Sequence, residues 1–175
     1  MDQSLKLEHQ ICFQLYTASK ELTRLYRPIL APLNLTYSQY LVMLVLWEED
    51  GIDLRQLGSR LTLDSGTLSP LVKRLIQIGY VEKSRATDDE RKIIVRLTES
   101  GSALREQAAN VPLQVSGMLN IDEATYVAYM EMLTDIKTRL HDFGERQREQ
   151  EGRRSHVSKI DHPLDGDWTL YGLAI

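Results

Sequence analysis

The sequence predicts a mainly α-helical fold carrying one small β-hairpin, and three observations predict it. Apolar residues recur at spacings of three and four along most of the 175-residue chain. The period switches to two only over residues 80–98. Helix-capping residues stand between the apolar runs, so the helices are separate and short-linked.

The first helix is expected over residues 5–31, where Ile11, Leu15, Ala18, Leu22, Leu25 and Ile29 make one apolar face and Pro28 and Pro32 mark the end. Thr36, followed three residues later by Gln39, fits a capping box. The run Tyr40–Trp47 behind it is apolar on nearly every side and belongs at the centre of the core. Asp50-Gly51 breaks the chain. Asp53 can then cap a short helix with Leu54, Leu57 and Leu61 facing inward. Residues 62–64 turn the chain into a helix from Ser65 to Ile78, with Pro70 near its first turn and Gly79 as its C-terminal cap. Residues 80–85 and 92–98 read as two strands joined by the polar turn Ala86-Thr87-Asp88-Asp89-Glu90. Thr98 can cap a helix to about Asn110, interrupted near Pro112, and a last helix is expected over 122–143, lined by Val127, Met130, Leu133, Ile136, Leu140 and Phe143. After Gly144 a dense charged run leads into a segment read as flexible, whose Trp168, Leu170, Tyr171 and Leu173 are available for docking.

Composition narrows the function. Hydrophobic residues are 42% and charged residues 26%, as in globular chains of one domain. Met1 to Lys6 lack the pattern of a secretory signal, and the longest apolar stretch, Leu41 to Trp47, is far short of a membrane span. A cytoplasmic location without membrane association is therefore expected. The single cysteine, Cys12, excludes an intrachain disulfide and Cys-rich zinc sites. His9, His141, His156 and His162 are scattered, although His9 shares the predicted helix face of Cys12. No Gly-rich phosphate loop or Ser-His-Asp spacing is present, so no metal, no organic cofactor and no enzymatic activity are expected. The net charge is −4, but residues 51–100 hold nine basic and seven acidic side chains, so the middle of the chain is its basic part, at +2 against −6 elsewhere.

The order helix, tight turn, helix, hairpin is that of a winged helix-turn-helix unit, whose second helix enters the DNA major groove. Its leading end here reads Asp64-Ser65-Gly66-Thr67-Leu68-Ser69. Ser65, Thr67 and Ser69 are small hydroxyl residues that allow close approach to phosphates or base edges, and Lys73 and Arg74 supply phosphate contacts. Arg85 and Arg91 flank the hairpin tip, where an arginine can enter the minor groove, with Asp89 placed to brace it. The same caps and charged tip also occur in ordinary solvated helices and hairpins; the ordered set carries the reading. Residues 1–35 and 99–144 hold apolar faces too large for the central 36–98 module to cover, which points to a homodimer on an inverted repeat of double-stranded DNA, with 145–175 as a tail.

Leu63 to Leu75 resembles the recognition helix of MarR-family regulators, and Asp88-Asp89-Glu90-Arg91 with Leu97-Thr98-Glu99-Ser100-Gly101 resembles that family's wing and its exit. Ile11-Cys12-Phe13-Gln14-Leu15-Tyr16 and Leu35 to Met43 are similar to the organic hydroperoxide resistance (OhrR) regulators within the family. The resemblance covers residues 5–143 and leaves out the tail. It implies a homodimeric repressor whose sensing cysteine is Cys12, with Tyr26 and Tyr37 reaching it across the dimer and Tyr16 close by. With no second cysteine, it implies the one-cysteine branch, whose signals are an organic hydroperoxide and a low-molecular-weight thiol. A related thiol-based global or virulence regulator, a regulator released by a small aromatic ligand, and a one-cysteine peroxidase remain alternatives; no Thr or Pro pattern around Cys12 resembles a peroxidase loop.

Overall fold

The structure is a computed structural model that describes residues 3–86, 89 and 91–160. It divides into two units, Met1–Asn120 and Ile121–Ile175. The first unit contains α1 (Ile11–Leu30), α2 (Tyr37–Glu48), β1 (Ile52–Asp53), α3 (Leu54–Leu61), α4 (Ser65–Ile78), β2 (Val81–Arg85), β3 (Ile93–Leu97), α5 (Glu99–Ala108) and α6 (Val111–Leu119). The second unit is α7 (Glu123–Ile160).

The caps form as the residues dictate. Thr36 and Gln39 close a reciprocal capping box at α2, with the Thr36 N–H donating to Gln39 Oε1 at 2.8 Å. Asp53 accepts from the Arg55 and Gln56 amides at the head of α3. Gly79, at φ +89°, ends α4 in the left-handed conformation, and Thr98 caps α5 through the Gly101 N–H at 3.0 Å. Between these ends α2 is the central element. Its Tyr40, Val42, Met43, Val45 and Leu46 are buried, packed with Leu57 of α3, Leu68 and Leu75 of α4, Val81 and Val95 of the sheet, and Leu104 of α5.

The hairpin is part of a three-stranded antiparallel sheet in the order β1-β3-β2. Ile52 pairs with Val95, and Val81 with Leu97. A two-residue strand has no readable period, so β1 escapes a sequence reading. It is held in place from outside, because Asp50 Oδ1 accepts the Leu97 N–H of β3 at 2.8 Å. At the far end, α5 comes so close to the end of α4 that a Cβ on Gly101 would lie 1.9 Å from the Tyr80 carbonyl oxygen. Only glycine fits there, and the indole N–H of Trp47 donates to the Gly101 carbonyl at 2.9 Å across the same contact.

Four expectations need correction. The first helix begins at Ile11, after 3-10 turns at Gln3–Leu5 and Leu7–His9. The Gln10 side-chain amide donates to the Ser4 and Lys6 carbonyls and that of Gln14 to the Glu8 carbonyl, so these oxygens are occupied outside an α-helical pattern. His9 therefore stands before α1 and not on its face. Pro28 lies inside α1 and Pro70 is the sixth residue of α4, both exposed where a missing N–H leaves a solvated carbonyl. Finally, α7 does not stop at Gly144 but runs to Ile160. Gly144 does not take a positive φ, and the following Glu145, Arg146, Gln147 and Arg148 favour helix, with Arg148 paired to Glu145 at 3.1 Å. Thr87, Asp88 and Glu90 of the hairpin turn, and residues 161–175 with Trp168, Leu170, Tyr171 and Leu173, lie outside the described residues.

No single helix among the described residues is long and apolar enough to cross a membrane; α1 and α2 reach that composition only as a pair bent by 67°.

Candidate nucleic-acid interface and candidate thiol site

The helix-turn-helix turn is three residues long. Thr62 adopts a left-handed φ of +54° and its N–H returns to the Ser59 carbonyl, while the Leu63 N–H returns to that of Gly58 at 2.9 Å. A Cβ on Gly58 would meet the Leu63 carbonyl oxygen at 2.9 Å, so this small residue sets how tightly α3 turns into α4. Asp64 caps α4: its carboxylate accepts the Thr67 N–H and the Thr67 O–H, both at 2.9 Å. Those two bonds hold the exposed Asp64 carboxyl below its ordinary value.

Leu68, Val72 and Leu75 bury one stripe of α4. At about 100° per residue, Gly66, Pro70, Lys73, Arg74 and Gln77 stand opposite it, flanked by Ser69 and Thr67. Ser65, Thr67, Ser69, Lys73 and Arg74 are all exposed. The Thr67 hydroxyl proton is committed to Asp64, which leaves Thr67 an acceptor toward any partner. Gly66, Pro70 and Gln77 are outward-facing residues that the sequence reading passes over; the helical wheel was the available signal. Gln77 accepts from Arg74 Nη1 at 3.4 Å.

On the hairpin, Arg85 and Arg91 are exposed. Asp89 braces the tip, though through the backbone: its carboxylate accepts the Arg91 N–H at 3.0 Å and its carbonyl accepts the Lys92 N–H at 2.9 Å. The Ala86 N–H donates to the Lys92 carbonyl at 3.0 Å and closes the turn from the other side. Thr98 ties the hairpin exit to the end of α4 by donating its hydroxyl to the Gly79 carbonyl.

Cys12 is exposed and is the second residue of α1, whose head has no side-chain cap and whose Phe13 and Gln14 amides donate to the Gln10 carbonyl. Tyr16 stands one turn on and is exposed; Lys20 Nζ lies 5.5 Å from its ring centroid. The Tyr26 and Tyr37 rings are in tilted contact, with centroids 4.7 Å apart and planes inclined by 51°, and Tyr26 lies 6.0 Å from Tyr40. Burial raises the phenol pKa of both Tyr37 and Tyr40, so these hydroxyls stay protonated donors. Tyr16 and Tyr37 also line an open concavity of about 460 Å³ with Lys20 and Arg27. Fourteen residues of helix separate Cys12 from Tyr26, about 21 Å of rise. One chain therefore brings the two phenols together but holds the thiol away from them.

Residues 24–107 match the family model described as transcriptional regulator SarA/Rot. The chain is 45% identical over 114 residues to the organic hydroperoxide resistance transcriptional regulator of Bacillus subtilis, covering 65% of this chain and 78% of that one. It is 42% identical over 140 residues to the HTH-type transcriptional regulator TtmR of Methylorubrum extorquens, covering 80% and 72%. Among solved structures, reduced AbfR bound to DNA superposes with a TM-score of 0.63 at 38% identity, covering 77% of this chain and 94% of that one. Winged module, sequence and fold agree: the chain belongs to the MarR family of DNA-binding transcriptional regulators, within its organic hydroperoxide resistance (OhrR) group, and carries one cysteine.

Proposed function

We propose that this regulator is a homodimeric repressor that holds an imperfect inverted repeat and releases it when an organic hydroperoxide oxidises Cys12. The observation that carries the reading is the separation just described. An exposed thiol in the first turn of α1 and a contacting, partly buried pair of phenols, one of them some 21 Å along the same helix, can form one site only if two chains supply the parts.

The faces for such a pairing exist. Tyr126, Tyr129, Leu133, Ile136, Leu140 and Phe143 alternate at spacings of three and four along α7, the a and d positions of a heptad. All but Ile136 are exposed in the single chain, as are Leu5, Leu7 and Ile11 beside Cys12. A two-fold arrangement would set the two α4 helices about one DNA turn apart, roughly 34–36 Å. Ser65, Thr67 and Ser69 then face base edges, Lys73 and Arg74 phosphates, and Arg85 and Arg91 the minor groove, with Asp89 fixing the tip.

The chemistry balances in two steps. The Cys12 thiolate attacks the outer oxygen of the hydroperoxide; the O–O bond breaks, the sulfur is oxidised to sulfenic acid, and the alkoxide takes a proton from solvent. A low-molecular-weight thiol then condenses with the sulfenic acid, giving a mixed disulfide and water. Phenol donors and helix amides favour the thiolate, and each step removes their partner. The tyrosines move, and the two reading helices lose register with the half-sites. Apolar surroundings from Phe13, Tyr16 and Ile11 suit alkyl peroxides. The protein works in the cytoplasm, with no membrane partner.

The test is operator binding before and after cumene hydroperoxide with a small thiol, in wild type and Cys12→Ser. Release by wild type alone is expected. Release of both proteins, or of neither, contradicts the reading.

A further inference from the structure

The bend between α1 and α2 is a tightly bonded link. Ala31–Leu33 form a 3-10 turn, Asn34 takes a left-handed φ of +53°, and the Leu35 N–H returns to the Leu30 carbonyl at 3.2 Å. Leu33 and Leu35 are buried. Tyr26 stands near the end of α1 and Tyr37 begins α2, so the two phenols in contact at 4.7 Å flank this link. A displacement of either ring acts on residues 31–36. The reading head reaches the same link through Tyr80, the residue between the end of α4 and β2. The Tyr80 hydroxyl donates to the Leu33 carbonyl at 3.1 Å, across 47 positions of sequence. The backbone of Tyr80 is committed to the reading head. Its N–H donates to the Leu75 carbonyl of α4 at 3.0 Å, and its carbonyl accepts the Thr98 N–H at the hairpin exit at 3.1 Å. Gly101, at the head of α5, packs against that carbonyl. Tyr80 thus joins the end of α4, the root of the hairpin and the head of α5, and ties all three to the link.

We propose that the Tyr80 hydroxyl is the positioning contact through which displacement of Tyr26 and Tyr37 is passed to α4 and the hairpin. This rests on the reading of Cys12 as the sensing thiol and of the phenols as its partners. Apolar core contacts also join the link to the head, but they are non-directional and let packed elements slide by small amounts. A hydrogen bond to a carbonyl has a preferred distance and angle, so it fixes the register of the link against the end of α4. When the link shifts, the head shifts with it. Without the hydroxyl the link can move while the head stays on its half-site. Coupling between two sites is a free energy carried by contacts that differ between two states, and a single partly buried hydrogen bond sets the size of the effect here.

The test is the ratio of operator affinities of the reduced protein and of its Cys12 mixed disulfide, made with cumene hydroperoxide and a small thiol. It is measured on the full chain in wild type, Tyr80→Phe and Trp47→Phe. Trp47→Phe is the control: it removes the 2.9 Å bond to the Gly101 carbonyl, a hydrogen bond that lies within the module and misses the link. Tyr80→Phe should lower the ratio by about fivefold while Cys12 is consumed by the hydroperoxide at the wild-type rate. Trp47→Phe should keep the wild-type ratio. A merely structural role for the hydroxyl would weaken both forms alike and leave the ratio unchanged. A wild-type ratio in Tyr80→Phe therefore overturns the assignment, and so does an equal reduction in Trp47→Phe. Slower consumption of Cys12 in Tyr80→Phe would place the residue in the sensing chemistry itself and overturn it as well. A ratio of one in the wild type would strike the sensing reading, and this assignment with it.

Discussion

The winged module and α7 are built on opposite terms. In residues 36–98 the apolar side chains of α2, α3, α4 and the sheet bury one another, and helix ends are closed by Thr36, Asp53, Asp64 and Gly79. In α7, Tyr126, Val127, Tyr129, Met130, Met132, Leu133, Leu140 and Phe143 are all exposed. The module is complete as one chain. The long helix presents an apolar face of the kind that contiguous partners cover. On the proposed reading, DNA reading and signal sensing have different stoichiometries: one chain suffices to shape a reading head, and two would build the sensor.

The largest expected effect breaks the module from inside. Gly101→Val drives a side chain into the Tyr80 carbonyl and should cost about 3 kcal/mol or more, read by denaturant unfolding. Leu57→Ala, in the fully buried core, should cost about 2–5 kcal/mol in the same assay. The matching change in α7 should behave differently. Leu133→Glu should leave the helical content and the cooperative unfolding of the first unit intact, yet yield monomers by sedimentation and lower operator affinity by about a hundredfold, as the second reading head is lost. If that variant stays dimeric, the contrast between the two regions fails.

Smaller effects sharpen the comparison at the caps. Thr36→Ala removes one half of the capping box and should lower stability by about 1 kcal/mol. At Asp64 the effect depends on pH. Its carboxyl titrates lower in the folded chain than the ordinary 3.8, so its stabilisation is full above the unfolded value and disappears as pH falls through the folded one. The thermal midpoints of wild type and Asp64→Asn should therefore be separated by a constant interval above about pH 5 and converge below about pH 4. A constant interval down to acid pH would contradict the cap.

Much of the module was legible in the residues because its signals are local. A Thr three residues before a Gln, a Gly after the last apolar position and a period that changes from three-and-four to two each act within a few residues. What was not legible depends on distant partners or on context. β1 exists because β3 and the Asp50 carboxylate hold it. The start of α1 is set by the side chains of Gln10 and Gln14 folding back on earlier carbonyls. Gly144 reads as a stop, but a glycine ends a helix only where the chain turns left-handed, as at Gly79. In the reading surface, the hydroxyl residues of α4 stood out by type. Gly66 and Gln77 required the wheel.

The central claim, that the thiol of one chain is served by the tyrosines of the other, is tested most directly with a mixed dimer. One chain carries Cys12→Ser with its tyrosines intact; the other keeps Cys12 but carries Tyr26→Phe and Tyr37→Phe. The measurement is the rate at which Cys12 is consumed by cumene hydroperoxide. The mixed dimer should react at close to the wild-type rate per cysteine, and the homodimer of the tyrosine-lacking chain far more slowly. A mixed dimer as slow as that homodimer would place thiol and phenols on the same chain, and equal wild-type rates in all three would remove the tyrosines from the chemistry.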